Sequence, residues 1–129
     1  MSKILLIDDS ITDRMLTRKI LESHGYEVVE LDNPENIFKV VLNHKPDLIL
    51  LDIVMPIKNG YELCRQLKNQ NLTHNIPVIF ISCKAQKSDI FWGKMQGADD
   101  YLPKPYESTK LLEIVEKHLN KNQDIMIDG

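Results

Sequence analysis

Residues 46–56 read Pro46-Asp47-Leu48-Ile49-Leu50-Leu51-Asp52-Ile53-Val54-Met55-Pro56. The run from Leu48 to Leu51 is wholly aliphatic and leaves no polar face. A short apolar run set off by proline is expected of a strand covered on both sides, and cover on both sides belongs to parallel sheets. Pro46 stops the helical pattern before it, and the run delivers a carboxylate, Asp52, at its end.

The same pattern recurs on either side. Ile4-Leu5-Leu6-Ile7 runs into Asp8-Asp9, and Val78-Ile79-Phe80-Ile81, behind Pro77, runs into Ser82-Cys83. Tyr26 to Glu30 predicts a second strand, and Tyr101-Leu102 a short fifth one leading to Pro103-Lys104. Helical patterns fill the gaps. Ser10 or Thr12 caps a first helix with Ile11, Met15, Leu16 and Ile20 as its apolar positions, closed by Gly25. Asn33 before Pro34 predicts the cap of a second helix, with Ile37, Phe38, Val41 and Leu42 on its face. Met55 to Gly60 has turn chemistry, and Leu63, Cys64 and Leu67 mark the third helix. The fourth is expected from about Gln86 to Gln96, stopped by Gly97. The fifth is expected from Glu107 to about Leu119, with 121–129 as a polar tail. This alternation predicts an α/β fold, a doubly wound five-stranded parallel sheet with helices on both faces, as one domain over 1–120.

Composition narrows the function classes. The 129 residues suit one domain, and 43% hydrophobic with 27% charged residues excludes a disordered or fibrous chain. A net charge of -3 argues against a nucleic-acid partner. The two cysteines, Cys64 and Cys83, make no disulfide framework and suit a cytoplasmic setting, with Cys64 expected as a small core hydrophobe. No run is long enough to enter a membrane, and the first apolar run is too short for a signal peptide. His24, His44, His74 and His118 lack ligand spacing and are expected at the surface, Trp92 as a partly buried anchor of the fourth helix. Glu113, Glu116 and Lys117 are expected on a solvated face.

In parallel sheets the ligand site lies at the carboxyl ends of the strands. There stand Asp8 and Asp9, Asp52, Ser82 and Lys104. Singly, each has a plainer role as a helix cap, a loop residue or a solvated charge; their joint placement at four strand ends favours chemistry. Crowded carboxylates repel, and a hard divalent cation such as Mg²⁺ removes that penalty while leaving positions open for phosphate oxygens. Lys104 adds a positive charge and Ser82 a hydroxyl donor, which together equip the rim for phosphoryl transfer to an aspartate.

Taken together, Ile7-Asp8-Asp9-Ser10, the 46–56 segment, Asn59-Gly60, Ser82, Gly97-Ala98 and Tyr101-Leu102-Pro103-Lys104-Pro105 resemble the receiver domain of bacterial two-component response regulators, the CheY-like family. The resemblance spans Lys3 to about Leu119. It implies a flavodoxin-like strand order 2-1-3-4-5. It implies Asp52 as phospho-acceptor, with Asp8, Asp9, Asp52 and the backbone carbonyl of Ile53 around Mg²⁺, Asp9 being the more direct ligand of the acid pair. It implies Ser82 as switch hydroxyl, Lys104 as the phosphoryl-pairing lysine before a cis bond to Pro105, and Tyr101 as an aromatic switch whose ring moves inward on activation. Val54, Cys83 and Lys84 stand at modulating positions. Cys83 departs from the family, where a very small residue is usual, and its larger side chain is placed to crowd either the phosphoryl group or the water that hydrolyses it.

The segment from Lys84 to Gly97, with Trp92-Gly93-Lys94, is similar to regulators of the pilus-motility chemotaxis branch. The implied partners are a histidine kinase or phosphotransfer domain and a phosphorylation-dependent output protein. The output face is that of the fourth helix, fifth strand and fifth helix, where Phe91, Met95, Tyr101 and Tyr106 are candidates; a monomer or a weak dimer through that face is expected. No room for an output domain follows Leu119, and no enzyme activity is expected beyond self-phosphorylation and self-dephosphorylation. A phosphatase of the haloacid dehalogenase type wants a second Asp where Ser10 stands. A flavin carrier wants a hydroxyl- and glycine-rich phosphate loop where Asp8-Asp9 stands. A pseudo-receiver ordinarily lacks an acid or the lysine, and here all are present.

Overall fold

The computed structural model describes residues 2–54, 59–84 and 86–128, the side chains of 121–128 aside. The elements are β1 (Lys3–Ile7), α1 (Ile11–Ser23), β2 (Glu27–Leu31), α2 (Ile37–His44), β3 (Leu48–Asp52), α3 (Gly60–Lys68), β4 (Val78–Ser82), α4 (Lys87–Met95), β5 (Asp100–Pro103) and α5 (Ser108–Asp128). The strands lie in the order β2-β1-β3-β4-β5, every neighbouring pair parallel. The order and direction are those expected. The register sets Ile7 beside Leu51, Asp52 beside Ile81 and Ser82 beside Pro103, so the strands finish along one rim. Asp52 and Ser82 are the last ladder residues of their strands, where the sequence places them just beyond.

Alternation within the strands sends side chains to two cores. Leu5, Ile7, Ile49, Leu51, Val78, Phe80 and Tyr101 pack with Ile37, Val41, Leu63, Cys64 and Leu67 of α2 and α3. Ile4, Leu6, Leu48, Leu50, Ile79, Ile81 and Leu102 pack with Leu21 of α1 and Leu111, Ile114, Val115 and Leu119 of α5. Each buried Leu, Ile or Phe contributes about 1.5–3 kcal/mol, so both faces of the sheet hold the fold together.

Five expectations are corrected. The helix α1 begins under the Ser10 cap, whose hydroxyl accepts from the Asp13 amide at 3.3 Å, and ends before Gly25 at φ +86°, as expected. Three of its four expected apolar positions, however, face water: Ile11 is 65% exposed, Met15 63% and Leu16 56%, whereas Ile20 packs part-buried against the core and Thr17 and Leu21 are buried. Polar bonds choose its inner side. Asp13 reaches Lys104, Arg14 reaches the Asp8 carbonyl, and the Thr17 hydroxyl meets that of Tyr106.

Second, α2 starts at Ile37 behind Asn36. Asn33 instead accepts from the Glu35 amide at 3.0 Å, closing a local turn after β2. Third, Trp92 is 55% exposed. The helix α4 approaches the sheet through Gly93, where a Cβ would lie 3.0 Å from Phe80 and 3.2 Å from Tyr101, and the adjacent indole points outward. Fourth, His118 is buried, its Nε2 2.9 Å from Asp100 Oδ2, because the α5 face that closes the core carries it inward beside β5. The other three histidines are exposed and Cys64 is buried, as expected. Fifth, α5 continues past Leu119 to Asp128, a stretch without Gly or Pro to stop it.

Gly60 opens α3 directly against the end of β3. An added Cβ would lie 2.7 Å from the Ile53 Cα, 3.0 Å from its carbonyl oxygen and 3.1 Å from that of Asp52. These are backbone atoms at a ladder end and have no rotamer to yield. Gly60→Ala is expected to cost about 1–3 kcal/mol, seen as a lower urea midpoint at unchanged slope. A midpoint equal to that of the unaltered protein would mean that the β3–α3 junction shifts freely.

Candidate functional site

Three strand ends share one local device. The Asp8 Oδ1 accepts from the Ser10 amide at 2.9 Å, the Asp52 Oδ1 from the Val54 amide at 3.1 Å, and the Ser82 hydroxyl from the Lys84 amide at 3.1 Å. Short oxygen-bearing side chains turn the chain after a strand by bonding the amide two residues on. One oxygen of each carboxylate is thereby fixed and the other is aimed across the rim.

Lys104 occupies the middle. Its backbone amide donates to the Ser82 carbonyl at 2.8 Å, which holds the end of β5 beside β4. Its ammonium lies 2.8 Å from Asp8 Oδ2, 2.9 Å from Asp13 Oδ2 and 3.5 Å from Asp52 Oδ2. The Lys104–Pro105 peptide is cis, as expected. Burial pulls the Lys104 ammonium towards losing its proton, but the carboxylates of Asp8, Asp13 and Asp52 outweigh it and hold the group above the ordinary lysine value. Burial pushes the Asp52 carboxyl up to about 6; the neighbouring Asp8 adds to this, and Lys104 and the Val54 amide partly oppose it.

Carboxylate oxygens of Asp8, Asp9 and Asp52 all lie within 4.8 Å of one another. Asp8 and Asp52 are buried and Asp9 is exposed, so the cluster opens to solvent on the Asp9 side. Hard oxygen donors this close match a divalent cation such as Mg²⁺, which would offset the charge that Asp52 carries in its buried setting. The Ile53 carbonyl accepts from the Gly60 amide at 3.2 Å, leaving its second lone pair available.

The structure therefore brings Asp8, Asp9, Asp52, Ser82 and Lys104 to one rim. Val54 is half exposed beside Asp52, and Cys83 is an exposed thiol lining a cavity of about 260 Å³ with Asp13, Leu16, Lys104, Pro105 and Tyr106. The ring of Tyr101 lies inside, 5% exposed, with its hydroxyl donating to the Lys84 carbonyl at 2.5 Å; burial pushes its pKa up to about 12. An exposed partner-contact role for Tyr101 is thus corrected. Tyr106 is corrected too: it is half buried against α1, bonded to Thr17, away from α4. Phe91 at 66% and Met95 at 63% exposure do stand on the outer side of α4, joined there by Trp92. Residues 55–58 and Ala85, parts of the 46–56 and 84–97 motifs, lie outside the described residues. Asp13 was not legible as a site residue, because a first-turn acid is ordinary helix chemistry and no spacing links positions 13 and 104.

Comparison with known proteins agrees with this geometry. Residues 4–116 match the family model described as the response regulator receiver domain. Protein PilH of Pseudomonas aeruginosa is 42% identical over 115 residues, covering 89% of this chain and 95% of that protein. The phosphate regulon transcriptional regulatory protein PhoB of the same organism is 39% identical over 109 residues, 84% of this chain but 48% of that protein. The crystal structure of a CheY-like receiver domain protein from Methanospirillum hungatei superposes with a TM-score of 0.87 at 27% identity, covering 96% of this chain and 98% of that one. With an acid pair, a strand-end aspartate, a hydroxyl and a lysine on one rim of a 2-1-3-4-5 sheet, this chain belongs to the response regulator receiver domains.

Proposed function

We propose that this receiver domain takes a phosphoryl group onto Asp52 from a histidine kinase or phosphotransfer domain and signals by phosphorylation-dependent protein contact. The observation that carries this is the placement of Asp52 at the central strand end, its free oxygen facing the Lys104 ammonium and its neighbours Asp8 and Asp9 within one cation's reach. Asp8, Asp9, Asp52 and the Ile53 carbonyl would hold Mg²⁺. Bound there, the ion supplies the positive charge that lets three carboxylates and a phosphoryl group share the rim.

In the transfer, a carboxylate oxygen of Asp52 forms a bond to phosphorus as the phosphorus–nitrogen bond of a phosphohistidine breaks, and the imidazole leaves with the bond electrons. Asp52 must be ionised to attack. Lys104 supports that form and then pairs with the new oxygens. The Ser82 hydroxyl, which accepts from the Lys84 amide and interacts with the Tyr101 hydroxyl, would turn to donate to the same group. Because Tyr101 already lies inside, phosphorylation would act by keeping it there.

Phe91, Trp92 and Met95 offer an apolar surface for an output partner or for weak self-association. The similarity to PilH favours the pilus-motility branch. Among the described residues no helix is long and apolar enough to cross a membrane, and the free thiols Cys64 and Cys83 fit the cytoplasm. No turnover beyond the domain's own phosphorylation and dephosphorylation is expected.

Incubation with acetyl phosphate and Mg²⁺ is expected to add one phosphoryl group, seen by intact-mass measurement, and Asp52→Asn to abolish it; equal labelling of that variant would place the acceptor elsewhere. Calorimetry should show Mg²⁺ affinity falling at least about tenfold in Asp9→Ala, the cluster's solvent-facing ligand; unchanged affinity would remove Asp9 from the metal set. The raised Asp52 pKa makes a third prediction. Folding is favoured by the protonated form, so that contribution is complete below about pH 4, the unfolded value, and is lost as pH rises through about 6. Metal-free Asp52→Asn should therefore be more stable than the unaltered protein near pH 8 by about 1–2 kcal/mol, and the gap should close towards pH 4. Chemical denaturation across that range checks it; a gap that does not change with pH would mean that Asp52 is not strained by its burial.

A further inference from the structure

An ammonium has three N–H donors, and Lys104 aims its own at three carboxylates. The two short contacts are Asp8 at 2.8 Å and Asp13 at 2.9 Å; the long one, 3.5 Å, is Asp52, the residue that phosphorylation would charge further. These acceptors differ in what each loses by letting go. The side chains of Asp8 and Asp52 are 2% and 9% exposed, so water cannot replace the ammonium for either. That of Asp13 is 43% exposed. It stands in the first turn of α1, where bulk water and the helix N-terminus both stabilise a carboxylate with no counter-ion. Asp13 is thus the contact that costs least to break. A phosphoryl group on Asp52 brings about two negative charges to the far side of the same ammonium.

We infer that Asp13 competes with the phosphoryl group for Lys104. It draws the ammonium towards α1 while Asp52 is bare, and it is the partner displaced when the anion arrives. It is a positioning residue that tunes how readily the site takes up a phosphoryl group, and the inference rests on the proposed phosphorylation of Asp52. Its charge also opposes the incoming anion directly. Release has a structural consequence as well: the Asp13–Lys104 pair ties β5 to α1 across the cavity that Leu16, Cys83, Pro105 and Tyr106 complete. Uptake of the anion therefore loosens a bond between the rim and the exposed helix face of Ile11, Met15 and Leu16.

The test uses beryllofluoride with saturating Mg²⁺, a non-covalent mimic of an aspartyl phosphate, followed by fluorine NMR and calorimetry. Asp13→Asn and Asp13→Ala should bind it roughly three- to tenfold more tightly than the unaltered protein, the size of one charge removed several ångströms away in a partly solvated site. Thermal melts establish that both variants are folded. In a Lys104→Met background the same Asp13 substitutions should gain less, because there is no ammonium left to compete for; a purely structural role for Asp13 would not produce that difference. If unaltered protein binds beryllofluoride and the Asp13 variants bind it equally, competition by Asp13 is overturned and phosphorylation of Asp52 stands. A gain of equal size with and without Lys104 also overturns it, since charge alone would then account for the effect. If the unaltered protein binds none, phosphorylation of Asp52 falls and this inference falls with it.

Discussion

One ammonium makes the rim of this sheet tenable. Asp8 and Asp52 are 1% and 6% exposed, side by side at the ends of β1 and β3, and neither has water enough to support its charge. Lys104, its own side chain only 10% exposed, reaches both from the end of β5 and adds Asp13 from α1. Removing the cation from such a cluster leaves buried charge uncompensated, a loss of about 3–5 kcal/mol in comparable settings. The short fifth strand is needed to deliver it: Ser82 pairs with Pro103, and the Lys104 amide bonds the Ser82 carbonyl, so the lysine is held in register with the site.

The residues of the candidate site also shape the chain. Asp8, Asp52 and Ser82 each end a strand by accepting from the amide two residues on. Replacing any of them with an apolar side chain therefore unsettles a part-buried amide, worth about 1–3 kcal/mol, as well as removing an oxygen of the candidate site. Fold and site share atoms, which is why the rim is so tightly specified in sequence.

Both helices that flank the site rest on the sheet only partly through apolar residues, Ile20 and Leu21 on α1 and Ile90 on α4. Helix α1 is held near the rim by Asp13, Arg14 and Thr17, and α4 approaches through Gly93. Each is left with large apolar residues facing outward: Ile11, Met15 and Leu16 on one, Phe91, Trp92 and Met95 on the other. Exposed apolar patches of this kind are suited to contacts with other proteins. Lys104 bonds Asp13 of the one helix, and Tyr101 lies under Gly93 of the other.

The sequence alone determined the strands, their parallel direction and the rim residues. Apolar runs such as Ile4–Ile7 and Leu48–Leu51 have one stable environment, and a parallel sheet places whatever follows them on one edge. The motifs at those ends then pointed to the receiver family. Only the tertiary structure decided which helix face turns inward, because periodicity ranks Met15 and Leu16 above Thr17 while three polar bonds rank them the other way. It decided that Trp92 points out and His118 in, since Gly93 packs against Phe80 and Tyr101 and His118 meets Asp100, contacts made only between separate elements. It alone joined Asp13 to Lys104, 91 positions apart in the chain, because no local pattern records a contact made by closure of the sheet.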